Sequence, residues 1–125
     1  MSTLNEYQEQ AGKTNKGTVL YVYDDPGMEG GCAGPRRIDG MYNALGMNGE
    51  AGECAEKVKK AARDGVVDYA AYRTEVCKEL GDVLWYLSQL ARDFGFTLQD
   101  VADANLAKLR DRASRNVLGG SGDNR

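Results

Sequence analysis

Two acidic pairs constrain this chain more than any other feature. Glu50 and Glu53 in GEAGECAEKVKK, and Glu79 and Asp82 in KELGDVLWYL, each sit at i,i+3 spacing inside strongly helical sequence, with 25 residues between the inner partners. Residues three apart share a helix face, so each pair sets two carboxylates side by side. Like charges so placed oppose helix formation by roughly 0.2–0.5 kcal/mol per pair, and their retention beside apolar stripes asks for a cation. Four oxygen ligands on two packed helices describe a hard-metal site suited to Mg²⁺ or Mn²⁺. The competing reading is a solvated acidic face, the ordinary explanation of helical carboxylates. The same spacing on two helices, bordering a core stripe each time, argues against it.

The remaining elements arrange themselves around these helices. One long helix is expected from about Arg36 or Ile38 to Asp64, with Gly65 as a left-handed cap. Gly40, Gly46, Gly49 and Gly52 each weaken it by about 0.8–1.0 kcal/mol relative to Ala. They imply close approach of a neighbour or ligand, or a break near Gly46. Asp68 caps a second long helix from Tyr69 to Asp93, which ends at Phe94-Gly95. Thr97 and Asp100 form a capping box for a third, running to about Arg115. Residues 3–14 read as a short docking helix with Leu4, Tyr7 and Ala11 on one side. Gly17–Asp25 alternates β-branched and aromatic residues as a short extended piece, and a glycine-rich loop follows from Pro26 to Pro35.

Helical wheels place Val76, Leu80, Val83, Leu84, Leu87, Leu90 and Ala91 on one core face. On the preceding helix Met47, Ala51, Cys54, Val58 and Ala61 form the apolar arc. The acidic pairs flank both arcs, so antiparallel packing brings them together. The expected architecture is all-α, a helical bundle built on two long antiparallel helices carrying E-x-x-E and E-x-x-D and completed by oligomerisation. It forms a single domain over residues 1–118, with an irregular insertion at 17–36 and a disordered tail at 119–125.

Composition removes several classes of chemistry. The chain has no histidine, which excludes Ser-His-Asp and Cys-His catalysis, H-E-x-x-H zinc sites and the Glu-x-x-His di-iron bundle. A net charge of −3 offers no basic field for a nucleic-acid polymer. No apolar run reaches the roughly 20 residues of a membrane helix, and MSTLNEYQEQ lacks the pattern of a signal peptide, so a cytoplasmic location is expected. Cys32, Cys54 and Cys77 form no C-x-x-C motif and read as reduced thiols, the last two in packing positions.

Secondary candidates have simpler explanations. Lys57 and Lys60 pair at i,i+4 with Glu53 and Glu56, as helix-surface ions commonly do. Glu56 and Glu75 stand between surface residues and supports of the acidic site. Lys108, Arg110 and Arg112 are either a phosphate-facing set or cations near a helix C-terminus, and Arg110 fits the second description. Trp85 points away from the apolar arc of its own helix, which favours burial against another subunit over a base-stacking platform. The loop GMEGGCAGP lacks the Gly-Lys-Ser/Thr ending of a P-loop.

Taken in order, YNALGMNGEAGECAEKVKK, KELGDVLWYLSQLARDFG and TLQDVADANLAKLRDR, with the closing N-x-x-K-x-x-x-R, resemble the all-α nucleoside triphosphate pyrophosphohydrolases of the MazG type over residues 42–113. NEYQEQAGKT is similar to the first helix of small phage-encoded members. The resemblance implies Glu50, Glu53, Glu79 and Asp82 as metal ligands, and Tyr86, Asn105, Lys108 and Arg112 around the substrate. It implies two or more Mg²⁺ ions (or Mn²⁺) offsetting triphosphate charge, attack of water on the α-phosphorus, and release of a nucleoside monophosphate and pyrophosphate. Glu53 is the candidate to orient or deprotonate that water. The family pairs its subunits, which implies a homodimer or homotetramer with Trp85 and the first helix as interface elements; a phage-encoded member works in the host cytoplasm. Asp24 and Asp25, in an insertion where relatives differ, could accept from guanine N1–H and N2–H₂, giving a preference for dGTP or GTP. Two alternatives are a housecleaning pyrophosphatase for modified or pyrimidine dNTPs, and a non-catalytic metal- or nucleotide-binding regulatory module.

Overall fold

The computed structural model describes residues 2–23, 35–117 and 119. Four helices dominate: α1 (Leu4–Gly12), α2 (Met41–Asp64), α3 (Tyr69–Asp93) and α4 (Leu98–Ser114). Between α1 and α2 lies a two-stranded antiparallel ribbon, β1 (Tyr21–Tyr23) against β2 (Pro35–Arg37), with Val22 opposite Arg36. The architecture is all-α with this small ribbon as its one departure among the described residues. Asp24, Asp25, the loop from Pro26 to Gly34, Cys32 and all of the tail except Gly119 lie outside the described residues.

Local chemistry sets the helix ends. Thr3 and Glu6 form a reciprocal capping box on α1, and Thr97 and Asp100 do the same on α4. The Asp68 carboxylate accepts from the Ala71 N–H at the start of α3. Helix α2 begins later than the sequence implied. Residues 35–37 are drawn into pairing with β1, and Gly40, at φ +73°, takes a left-handed turn immediately before Met41. At its other end Gly65 has φ +79° but ψ 174°, so the cap is extended rather than left-handed helical.

Helices α2 and α3 form an antiparallel hairpin: Asn43 meets Asp93 at one end, Gly46 meets Tyr86, and Lys57 meets Glu75 and Glu79 towards the other. Helix α2 runs unbroken through Gly46, because that glycine serves a close approach. A Cβ there would lie 2.2 Å from the Tyr86 ring. Gly49, Gly52 and Gly81 have open space instead.

The core is small and unusually polar. Helices α1 and α4 pack on the second half of α3, where Ala11, Ala91 and Leu98 are buried together with Gln8, Ser88 and Gln89. Gln8 satisfies its whole amide there: Nε2 donates to the carbonyls of Ser88 (3.0 Å) and Phe96 (3.1 Å), and Oε1 accepts from the Leu98 N–H (3.0 Å). That N–H is one of the donors the first turn of α4 leaves without a helical partner. Asn15 reaches Gln89, and the Trp85 indole N–H donates to the Thr14 hydroxyl at 2.8 Å. Trp85 thus finds a partner on the segment after α1 within its own chain.

Among the described residues, no third layer covers the first half of α3 and the second half of α2. Ala51, Val58 (51% exposed) and Leu80 (55% exposed), expected in the core, are uncovered in the single chain, and Cys77 is exposed rather than packed. Met47, Cys54, Val76, Val83, Leu84 and Leu87 are half-buried along the seam.

Replacing Gln8 with Met keeps its length while stripping the partners from three backbone groups. Each buried polar group left unpaired costs about 1–3 kcal/mol, so a loss of about 2–4 kcal/mol is expected in urea unfolding. A loss below about 0.5 kcal/mol would mean the junction of α1, α3 and α4 does not rest on this side chain.

Candidate functional site

Three of the four carboxylates meet across the α2–α3 seam. One carboxylate oxygen from each of Glu50, Glu53 and Glu79 lies within 4.8 Å of the others. Three hard oxygen donors at that separation could hold a divalent cation of the Mg²⁺ or Mn²⁺ type, and no softer ligand stands among them. Asp82, one turn further along α3, is not part of this cluster. It is exposed on the same side, and its charge is felt by Glu50, Tyr7 and Tyr86. A fourth anion is repelled from three others when only protein charges are present.

The electrostatics follow from that crowding. Partial burial, and then the charges of Glu53, Asp82 and Glu79, push the Glu50 carboxyl above its ordinary value of 4.5. Lys57 is the cation that the sequence did not place here. Its Nζ lies 3.1 Å from Glu79 Oε1 and 3.4 Å from Glu75 Oε2, bridging the two helices instead of pairing with Glu53 along its own. The contact with Glu79 holds the Lys57 ammonium above its usual value. Glu75 also takes Lys78 at 2.6 Å, which, with Lys57, lowers its carboxyl. Glu56 behaves as expected of a surface residue, bonded to Lys59 and Lys60.

Beyond the carboxylates, aromatic residues line the seam. Tyr86 lies against Gly46, with Tyr42 at 6.2 Å between ring centroids and Trp85 edge-on at 4.9 Å. Burial, the hydrogen bond with Tyr42, and the Glu50 and Asp82 charges raise the Tyr86 phenol. Tyr7 of α1 is raised by burial and by Asp82, which puts the first helix beside the acidic face. Tyr7 and Tyr42 were missed as site residues because a tyrosine at helical spacing reads as core.

A polar cleft of about 130 Å³ follows at the end of the seam, walled by Asn15, Gly17–Leu20, Ile38–Gly40, Tyr42, Asn43 and Asp93. Asn43 is 5% exposed; its Nδ2 donates to Asp93 Oδ2 at 2.6 Å, while its Oδ1 is shielded from solvent and accepts no hydrogen bond. An acceptor so placed costs about 1–3 kcal/mol.

The α4 candidates sit apart. Asn105 and Lys108 line an open groove of about 520 Å³ with Phe96, Asp100, Val101 and Ala104, and Arg112 is 6% exposed. Helix α4 packs on α1 and α3 and makes no contact with α2, which carries Glu50 and Glu53. Asp24 and Asp25 lie outside the described residues.

A family model described as the MazG nucleotide pyrophosphohydrolase domain matches residues 42–117, which takes in α2 from its second residue and all of α3 and α4. The gene 37 protein of Mycobacterium phage L5 is 48% identical over 91 residues, covering 70% of this chain and 79% of that protein. No solved structure is a significant match.

The raised Glu50 carboxyl has a measurable consequence without any metal. A group whose folded value exceeds its unfolded one contributes stability below about 4.5 that is lost as the pH climbs through the raised value. Glu50→Gln should therefore melt higher than the parent in chelator at neutral pH, by roughly a few tenths of a kcal/mol, and the advantage should vanish on acidification. A variant that melts no higher at neutral pH would show that the carboxylates do not repel across the seam.

Proposed function

Because this chain belongs to the MazG nucleotide pyrophosphohydrolase family, we propose that it hydrolyses a (deoxy)nucleoside triphosphate to the monophosphate and pyrophosphate, with a preference for dGTP or GTP. The observation that carries the reading is the convergence of Glu50, Glu53 and Glu79 within 4.8 Å on a hairpin inside the family match. Those three, together with Asp82 on the next turn of α3, would hold Mg²⁺ or Mn²⁺. Two or more such ions, when bound, supply the positive charge that offsets the triphosphate oxygens and polarises the α-phosphorus.

The chain's own residues do the rest. Glu53 is exposed where Glu50 and Glu79 are half-buried, which leaves it free to orient the attacking water and accept its proton. Tyr86, fixed over Gly46, offers the sugar a flat surface one turn from Asp82. Asn105, Lys108 and Arg112 are assigned to the sugar and phosphates, and because α4 does not reach α2 they serve the site across a subunit boundary. Asp24 and Asp25 are assigned to guanine N1–H and N2–H₂. The enzyme acts on free nucleotides in the cytoplasm, the host's if the gene is carried by a phage. No helix among the described residues is long and apolar enough to cross a membrane.

Product analysis over the common NTPs and dNTPs with Mg²⁺ tests this directly. The parent should release pyrophosphate, fastest from dGTP or GTP, and Glu50→Gln and Asp82→Asn should each lose at least about a hundredfold, as expected when a charge-stabilising group is removed. Faster turnover of a pyrimidine or oxidised nucleotide would move the substrate assignment to a housecleaning role. Nucleotide binding with no turnover would make the protein a regulatory module.

The bare stripe of Ala51, Val58 and Leu80 supports assembly into a homodimer or a dimer of dimers. Light scattering should give twice or four times the chain mass, and Val58→Glu should return the protein to a single chain. A monomeric parent at micromolar concentration would remove the dimer and, with it, the trans assignment of α4.

A further inference from the structure

We propose that Lys57 competes with the divalent ion for Glu79, and so sets the ion concentration at which the acidic site fills. The inference rests on the metal-dependent hydrolase reading for what the ion does, and on the ion pairs of the hairpin for the competition itself. Along α2, Gly46, Glu50, Glu53 and Lys57 follow at steps of four, three and four; along α3, Tyr86, Asp82, Glu79 and Glu75 take the same steps in the opposite direction. Steps of that size keep each set on one helix face. The two stripes meet along the seam: Gly46 against Tyr86, Glu50 and Glu53 against Glu79, and Lys57 against Glu79 and Glu75. Lys57 is therefore the next residue in line after the carboxylates, on the side away from the aromatic pair.

Its surroundings separate this contact from the other lysine pairs of the hairpin. The Lys57 side chain is 30% exposed and that of Glu79 13%, whereas Lys59, Lys60 and Lys78 are exposed in their pairs with Glu56 and Glu75. Exposed pairs are screened and contribute little, and a contact withdrawn from water is screened less. Lys57 also passes over Glu53, four residues back on its own helix, to reach across to α3. A carboxylate has a single charge to share. While the ammonium stands 3.1 Å from Glu79 Oε1, a divalent ion gains less from that residue and meets like charge beside it. Glu75 Oε2, at 3.4 Å, gives the ammonium an alternative, so Lys57 can yield Glu79 without losing every partner. Displacing it costs the fold part of one ion pair, and the site fills only when the ion is plentiful enough to offset that cost. Had Lys57 served only to steady Glu79 as a ligand, removing it would weaken ion binding. Competition gives the opposite sign.

The test titrates Mn²⁺ into the full chain after treatment with chelator and its removal, reading the free ion by electron paramagnetic resonance. Lys57→Met and Lys57→Gln are compared with the parent and with Lys78→Met, and melting curves confirm folding. Lys78→Met is the control, because it takes an equal charge from Glu75 and leaves Glu79 untouched. Both Lys57 variants should bind Mn²⁺ about fivefold tighter than the parent, the upper end for a partly exposed ion pair, while Lys78→Met stays within about twofold. Weaker binding in the folded Lys57 variants would make that lysine a support of Glu79 and overturn the competition. An unchanged affinity, or an equal gain in Lys78→Met, overturns it as well. Pyrophosphate release is scored separately on the same proteins with Mg²⁺. Tighter Mn²⁺ binding in the Lys57 variants, with no release by the parent from any nucleotide, sinks the hydrolase and leaves the competition; release by the parent with Mn²⁺ affinity unmoved in the variants sinks the competition and leaves the hydrolase.

Discussion

The Gln8 amide is the contact on which the rest of this structure depends. A primary amide offers two donors and an acceptor, and here they join three elements at one buried point: the first helix, the end of α3 and the start of α4. Burial makes those bonds hard to exchange for water, which is why a polar side chain can organise a core with so few large apolar groups. With α1 fixed by Gln8, the segment after it reaches Gln89 and Trp85, and Tyr7 comes to rest beside Asp82. The helix that organises this end of the fold lies outside residues 42–117, the part matching the family. The hairpin that the family shares is therefore set against a support that lies outside the matched residues.

The hairpin shows how a site can be assembled by what is left out. Gly46 has no side chain, so Tyr86 can lie against the α2 backbone, with Tyr42 alongside it. The acidic residues, meanwhile, straddle the middle of the hairpin, where the third layer ends. Water and ions have access there. The same absence leaves Val58 and Leu80 bare, so openness for chemistry and a surface for assembly have a common origin.

Much of this was legible from the residues because the signals were local. Asp68, and Thr97 with Asp100, act within one turn, and the caps appear where their spacing put them. Glu50, Glu53 and Glu79 converge because they flank apolar arcs on helices whose antiparallel pairing a short connection enforces. What failed to show was non-local. Periodicity treats Gln8, Ser88 and Gln89 as surface residues, and only a partner distant in sequence makes their burial tolerable. The ribbon between residues 21–23 and 35–37 depends on pairing across an intervening loop, so the residues alone start the helix at Arg36 or Ile38. Lys57 had a plausible partner four residues back and took two others across the seam. The arcs carrying Val58 and Leu80 were correctly apolar, yet a wheel cannot say whether the same chain supplies anything to cover them.

Lys57 carries one more consequence. Its ammonium stands between two carboxylates of α3, one of them a member of the triad, so the acidic seam already holds a counter-ion of its own. Many small metal-binding domains fold only when the ion arrives. Here the fold supplies one cation itself, so an ion entering the cluster would meet carboxylates whose charge is already partly offset.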